Sequence, residues 1–103
     1  MLRRLRAEWD GAVLVCGKCS KKVGGGFGAK GNTPLAKALR QALKLKKGRR
    51  ARLGVVESKC LGVCPKNAVT VLNAGAAREW LLVRPGTEIA DVTAALGLAR
   101  DQA

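Results

Sequence analysis

Residues 12–19 read Ala-Val-Leu-Val-Cys-Gly-Lys-Cys, a short apolar run that leads directly into a pair of cysteines. The run contains β-branched valines and is short, which is typical of a buried strand. A second run of this kind, residues 51–57, leads into a second pair, Cys60 and Cys64. The sequence therefore predicts two strands that each deliver two cysteines.

A helix is predicted between these two strands. It begins near residues 32–34, Asn-Thr-Pro, because Asn or Thr caps a helix and proline suits its first position. Apolar residues then recur every three or four positions over 35–43, and residues 46–48, Lys-Lys-Gly, are typical of a helix end. Residues 17–32 are rich in glycine and lysine and have no hydrophobic period, so a long loop is expected there.

The second half of the chain predicts a hairpin and a last helix. Residues 68–73 and 79–84 are expected to pair as antiparallel strands, because the turn at residues 73–75 is short. Thr87 is expected to cap a helix. Its apolar face contains Ile89, Val92, Ala95 and Leu96. Since the first two strands flank a helix, they are expected to be parallel, and the fold class is α/β with a small mixed sheet of about four strands and two main helices.

The chain has 103 residues and is expected to form one domain over residues 12–103, preceded by a basic N-terminal arm over residues 1–11. No run of about 18 apolar residues occurs, so no membrane span is expected. The arm has a basic start but no apolar segment after it, so it does not predict a secretory signal. A cytoplasmic location follows, where paired cysteines bind metal more often than they form structural disulfides.

The two pairs contain all the cysteines of the chain, and there is no histidine. Parallel neighbouring strands lie about 4.8 Å apart, so cysteines at their carboxyl ends are expected to converge on one site. Four thiolates are a complete ligand set for zinc or for an iron–sulfur cluster. The gap between the pairs is 40 residues, whereas zinc ribbons typically have about 15–20. The spacing is thus unusual for zinc, which stays open as the alternative metal.

Residues 59–69, Lys-Cys-Leu-Gly-Val-Cys-Pro-Lys-Asn-Ala-Val, resemble the thioredoxin-like [2Fe–2S] ferredoxins and the related small subunits of NADH dehydrogenases and hydrogenases. In that family a strand delivers a C-x-G-x-C loop, which a turn with Pro or Gly and another strand follow. The resemblance covers residues 12–98, although the first pair is spaced more narrowly than is usual. It implies a thioredoxin-like fold, and a homodimer as one form of assembly. It also implies a [2Fe–2S] cluster with the ligands Cys16, Cys19, Cys60 and Cys64.

The net charge of +13 is unevenly distributed. No acidic residue occurs between Gly11 and Val56, a stretch that carries twelve basic residues. Such a field attracts anionic partners, and for an electron carrier it predicts docking to a reductase or oxidase with an acidic patch. Lys18 and Lys59 adjoin the cysteines, where positive charge favours a reduced cluster.

The predicted function is one-electron transfer, and no acid, base or nucleophile constellation indicates an enzyme. The alternative is a zinc-stabilised basic module that binds an anionic protein or nucleic acid. Nucleic acid is not favoured, because the only aromatic residues are Trp9, Phe27 and Trp80. Trp80 is expected in the core of the sheet.

Two further motifs suggest other chemistry. Cys16-Gly17-Lys18-Cys19 is similar to a thioredoxin-type C-x-x-C, but that motif needs a helix that starts at the cysteines, and the predicted helix starts well after them. Residues 26–31 match G-x-G-x-x-G, but they do not directly follow a strand and no acidic residue occurs until Glu57. These glycines are expected to fold over the metal site or to cradle an anion.

Overall fold

The computed structural model describes residues 2–28, 30–46, 48–62 and 65–97. The strands are β1 (Ala12–Cys16), β2 (Gly54–Ser58), β3 (Val69–Asn73) and β4 (Leu81–Val83), and the helices are α1 (Gly17–Val23), α2 (Leu35–Ala42) and α3 (Ile89–Ala95). Two 3-10 turns cover Gly48–Arg50 and Ala74–Ala76. The predicted α/β class is confirmed.

The four strands form one mixed sheet in the order β2-β1-β3-β4. β1 is parallel to β2, with Cys16 opposite Ser58, and antiparallel to β3. β3 is antiparallel to β4. The predicted parallel β-α-β unit and antiparallel hairpin are thus confirmed, and the carboxyl ends of β1 and β2 meet at the same edge of the sheet.

All three helices contribute to one core with the sheet. Alternate residues of β1, Val13 and Val15, are completely buried, as expected for a strand with one face on the core. β3 is buried on both faces, from Val69 to Leu72. The core includes Val13, Val15, Val69, Val71, Leu35, Leu39, Cys19 and Val92. The basic and polar positions of α2 are exposed, as its hydrophobic period predicts.

The prediction of a loop over residues 17–32 is wrong for its first half. Helix α1 begins directly after Cys16 and ends at Gly24, which has the left-handed φ of 73°. Lys21 and Lys22 lie in its last turn, so the helix carries the same end signal that the sequence shows for α2. With seven residues, α1 is too short to show a clear hydrophobic period.

Helix α2 ends at Ala42 rather than near residues 46–48, of which Lys47 lies outside the described residues. The N–H of Leu45 donates to Arg40 O (3.1 Å) and that of Lys44 to Gln41 O (3.2 Å). This pair of bonds is a Schellman motif, which usually places glycine at the left-handed position. Here that position is Lys44, with φ 52°. The sequence therefore has no glycine there to indicate that the helix ends.

Three other predicted boundaries are corrected. β2 begins at Gly54 rather than at residue 51, and β4 begins at Leu81 rather than at residue 79. Thr87 does not cap α3, since its hydroxyl donates to Arg84 O (2.7 Å) and Glu88 holds the N-cap position. Trp80 precedes β4 and is 40% exposed, so the prediction that it lies in the core is wrong.

The N-terminal arm runs alongside the chain that enters β2. The N–H of Glu8 donates to Arg49 O (2.8 Å) and that of Asp10 to Arg52 O (2.7 Å). The arm is therefore attached at its carboxyl end, whereas Leu2 and Leu5 are exposed. In the described ranges, no helix combines the length and apolar character needed to cross a membrane.

Candidate metal centre

The first two cysteines lie together at the end of β1. Cys16 is completely buried as the last residue of the strand, and Cys19 is 2% exposed in the first turn of α1. The Cys19 sulfur is within hydrogen-bond range of the Cys16 sulfur and lies 3.9 Å from Thr70 Oγ1 on β3. The turn from β1 into α1 thus brings both thiols to one place under the sheet edge.

The loop after β2 lies against this pair through its backbone. Lys18 N–H donates to Lys59 O (3.1 Å), and Leu61 N–H donates to the sulfur of Cys16. Gly62 N–H donates to the sulfur of Cys60 (3.3 Å). The second cysteine loop therefore meets the first pair at the edge that the parallel strands share.

The structure describes three of the four predicted ligands, and it brings Cys16 and Cys19 together. Cys60 is exposed, whereas Cys16 and Cys19 are buried, and Cys64 lies outside the described residues. Within the described part of the chain, no three Cys, His, Asp or Glu side chains are grouped closely enough to hold a metal ion. The structure thus contains a buried thiol pair and an adjoining loop that carries a third, exposed thiol.

The local hydrogen bonds favour the thiolate form of Cys16. Burial raises the pKa of this thiol, but hydrogen bonds from the backbone N–H groups of Cys19, Leu61 and Lys18, and from the Cys19 thiol, outweigh burial. The pKa of Cys16 therefore lies below the ordinary value for a cysteine. An anionic sulfur at the end of β1 is the form that binds a metal or attacks a disulfide.

This lowered pKa gives the metal-free protein a pH-dependent stability. Because the folded-state pKa of Cys16 is below the unfolded one, the unfolded chain binds more protons between the two values. The free energy of unfolding should rise with pH through that window, and this contribution should be lost as the pH falls through the folded pKa. Urea unfolding at a series of pH values, with ultraviolet thiolate absorbance, measures it. A Cys16→Ser variant with the same pH dependence would contradict the assignment.

Gly17 allows the two cysteine loops to approach each other. A Cβ at this position would overlap the backbone oxygen of Ser58, at the end of β2. That oxygen cannot move without separating the ends of the strands. The glycine in the first C-x-x-C is therefore required by packing rather than by its own φ.

We expect Gly17→Ala to destabilise the fold by about 1–2 kcal/mol, because the overlap exceeds the gain of roughly 0.5–1 kcal/mol that alanine usually gives in a helix. The midpoint of urea unfolding measures the change. Gly75→Ala is the matched control, since a Cβ there would make only an ordinary contact with Asn73 (3.4 Å). A Gly17→Ala protein as stable as the parent would contradict the close approach.

Two buried hydroxyls flank the cysteines. Ser20 follows Cys19 on α1, and Ser58 lies opposite Cys16 in the sheet register. Among the described residues, neither hydroxyl oxygen has a hydrogen-bond partner. Such groups are costly to bury unpaired, so they are candidate donors to a bound sulfur-rich group. The sequence analysis missed them, along with Thr70 and the Leu61 amide, because serine and backbone amides carry no metal-ligand spacing.

The glycine-rich segment contacts the start of α2 and the turn after β4. A Cβ at Gly26 would first meet Pro85, and one at Gly28 would first meet Thr33. Phe27 between them is 1% exposed and forms an isolated bridge with Thr33. The segment thus joins the start of α2 to the turn between β4 and α3. The expectation that it folds over the metal site stays a prediction.

Comparison with protein-family models, curated proteins and solved structures finds no match to this chain. The resemblance to the thioredoxin-like ferredoxins therefore stays a prediction. It rests on the second cysteine motif and on the order of strands and helices.

Proposed function

We propose that this protein is a one-electron carrier that holds a [2Fe–2S] cluster through Cys16, Cys19, Cys60 and Cys64. The observation that carries the proposal is the parallel pairing of β1 and β2, with Cys16 opposite Ser58. This pairing puts both cysteine-bearing turns at one edge, where Leu61 N–H donates to the Cys16 sulfur. The fold thus brings together two cysteine loops whose pairs are 40 residues apart in the chain.

The surroundings of the sulfurs fit a negatively charged metal–sulfur group. Backbone N–H groups of Leu61 and Gly62 donate to cysteine sulfurs, and such bonds stabilise thiolates and tune the metal they bind. The unpaired hydroxyls of Ser20 and Ser58 add two potential donors. Lys18 and Lys59 are exposed beside the site, where their positive charge would favour the reduced form of a bound cluster.

A bound cluster would supply reversible uptake of a single electron. Burial of Cys16 and Cys19 would exclude water from one side of it, while the exposed Cys60 loop would leave a route for a partner protein. The lysines around this edge would attract the acidic surface of a reductase or oxidase. The protein would act in the reducing cytoplasm, as a carrier rather than an enzyme. A homodimer is implied only by the family resemblance.

Thiol–disulfide exchange is a second candidate, which the start of α1 favours. The sequence analysis set this function aside because a helix was not expected at the cysteines, yet α1 begins directly after Cys16. Cys16 has a lowered pKa and Cys19 lies within hydrogen-bond range, as an attacking and a resolving thiol require. Its weaknesses are that Cys16 is completely buried, whereas an attacking thiol has to be accessible, and that Cys60 and Cys64 have no role in it. A zinc-stabilised basic module remains the alternative that uses all four thiols.

The number of electrons taken up separates these functions. A reductive titration of protein purified without oxygen should consume one electron per chain, bleach a visible absorption and produce a paramagnetic signal. A dithiol–disulfide pair would take up two electrons per chain without colour. A zinc site would take up none, because zinc has no redox chemistry. Either of the last two results would overturn the proposal.

A further inference from the structure

A cavity of about 610 Å³ lies at the opposite end of β2 from the cysteines. Its walls come from one face of α2, the N-terminal arm and the residues that lead into β2. Apolar side chains, Ala51, Leu53 and Val55, form one part of the lining. Basic side chains form another part: Lys37, Arg40, Lys44 and Lys46. Among the described residues that line the cavity, none is acidic.

Trp9 is a fixed wall of this cavity. Its indole Nε1 donates to Gly48 O (2.9 Å), and a Cβ at Gly54 would overlap three atoms of its six-membered ring. The ring therefore lies with a face against the Gly54 backbone, where only glycine fits. The residue is still 39% exposed, so the docked ring retains accessible surface.

The cationic side is also partly fixed. Arg40 Nη2 donates to Val55 O (2.6 Å) on the edge strand β2. A guanidinium has five N–H donors, so most of them stay available after this bond. Lys37 lies one turn before Arg40 on α2, and Lys44 follows the end of this helix in a left-handed conformation. Both lysines are exposed and line the cavity.

We propose that this cavity binds a nucleotide, with the base against the indole of Trp9 and the phosphates at Lys37, Arg40 and Lys44. The volume is in the range of sites for ligands of that size. Aromatic rings bind bases by stacking, and guanidinium and ammonium groups bind phosphates through charge-assisted hydrogen bonds. A cavity that binds anions through charge alone would need neither the docked indole nor the apolar lining.

The carbonyl end of α2, which would repel an anion, is covered. Leu45 N–H donates to Arg40 O (3.1 Å), and Arg52 Nη2 donates to Leu43 O (3.1 Å). The negative pole of the helix is thus partly neutralised next to the cavity. The cavity shares no residue with the cysteine centre, so nucleotide binding should not depend on whether a cluster is bound.

The test is a fluorescence titration of the full chain carrying Trp80→Phe, which leaves Trp9 as its only indole. ATP and GTP should quench Trp9 and bind about tenfold more tightly than tripolyphosphate, which has the charge without the base. A ten-nucleotide single strand distinguishes the source of the ligand. If the strand binds at least tenfold more tightly than ATP, the natural ligand is a nucleotide within a polymer. If the strand falls short of that tenfold difference, the natural ligand is a free nucleotide.

Matched variants distinguish binding in the cavity from attraction of ATP by the net positive charge of the protein. Lys37→Gln/Lys44→Gln should weaken ATP binding about tenfold, since it removes two phosphate donors. Lys30→Gln/Arg78→Gln removes the same charge at exposed positions away from the cavity and should change binding less than about twofold. Both pairs replace exposed side chains, so the fold should persist. Equal losses in the two double variants, or equal affinity for ATP and tripolyphosphate, would overturn the proposal.

Discussion

Replacing Cys16 with alanine should abolish cluster binding, with complete loss of iron and visible absorption from protein purified without oxygen. This thiol is completely buried, and backbone N–H groups of Cys19, Leu61 and Lys18 donate to it. Alanine has no side-chain atom that can bind iron, whereas the oxygen of a serine could replace the thiolate.

Cys60→Ala and Lys21→Gln complete that experiment. Cys60 is exposed, so its replacement should also remove the cluster but should leave the free energy of unfolding of the metal-free protein almost unchanged. Lys21 is an exposed residue in the same helix as Cys19, and its replacement should leave the iron content at the parent level. A Cys16→Ala protein that retains full iron content and colour would show that the proposed ligand set is wrong.

Phe27→Ala should produce the largest loss of stability of any single change in the glycine-rich segment. Phe27 is 1% exposed and belongs to the core. Its backbone N–H donates to Thr33 O (3.1 Å) and Thr33 N–H donates back to Phe27 O (2.9 Å). Truncation of a buried phenylalanine typically costs about 3–5 kcal/mol, a large part of the roughly 5–15 kcal/mol that stabilises a small domain.

Urea unfolding of the metal-free protein measures this loss, and Leu82→Ala provides the control. Leu82 is 54% exposed on β4, so its truncation should change the free energy of unfolding by less than about 1 kcal/mol. If Phe27→Ala were no more destabilising than Leu82→Ala, the segment would not be anchored in the core as described.

The sheet could be predicted because its strands are short apolar runs bounded by clear turn residues. β1 matches its expected range, residues 12–16. β2 and β3 differ from their own expected ranges mainly at the first residues. Parallel pairing of β1 and β2 followed from the helix between them. The meeting of the two cysteine loops at one edge was therefore predictable from the topology.

The features that sequence analysis missed depend on contacts between distant residues. Helix α1 has only seven residues, about two turns, and contains one glycine and three lysines. It is held by bonds such as Lys18 N–H to Lys59 O (3.1 Å). Lys44 ends α2 in a left-handed conformation that its residue type does not suggest. The docking of Trp9 on Gly54 joins positions 45 residues apart and has no local signal.

The most direct test of the central claim is the content of iron, zinc and acid-labile sulfide in protein purified without oxygen, measured with its visible spectrum. The account predicts about two irons and two sulfides per chain, with a brown colour that bleaches on reduction. One zinc per chain, with no colour after reconstitution with iron and sulfide, would contradict it.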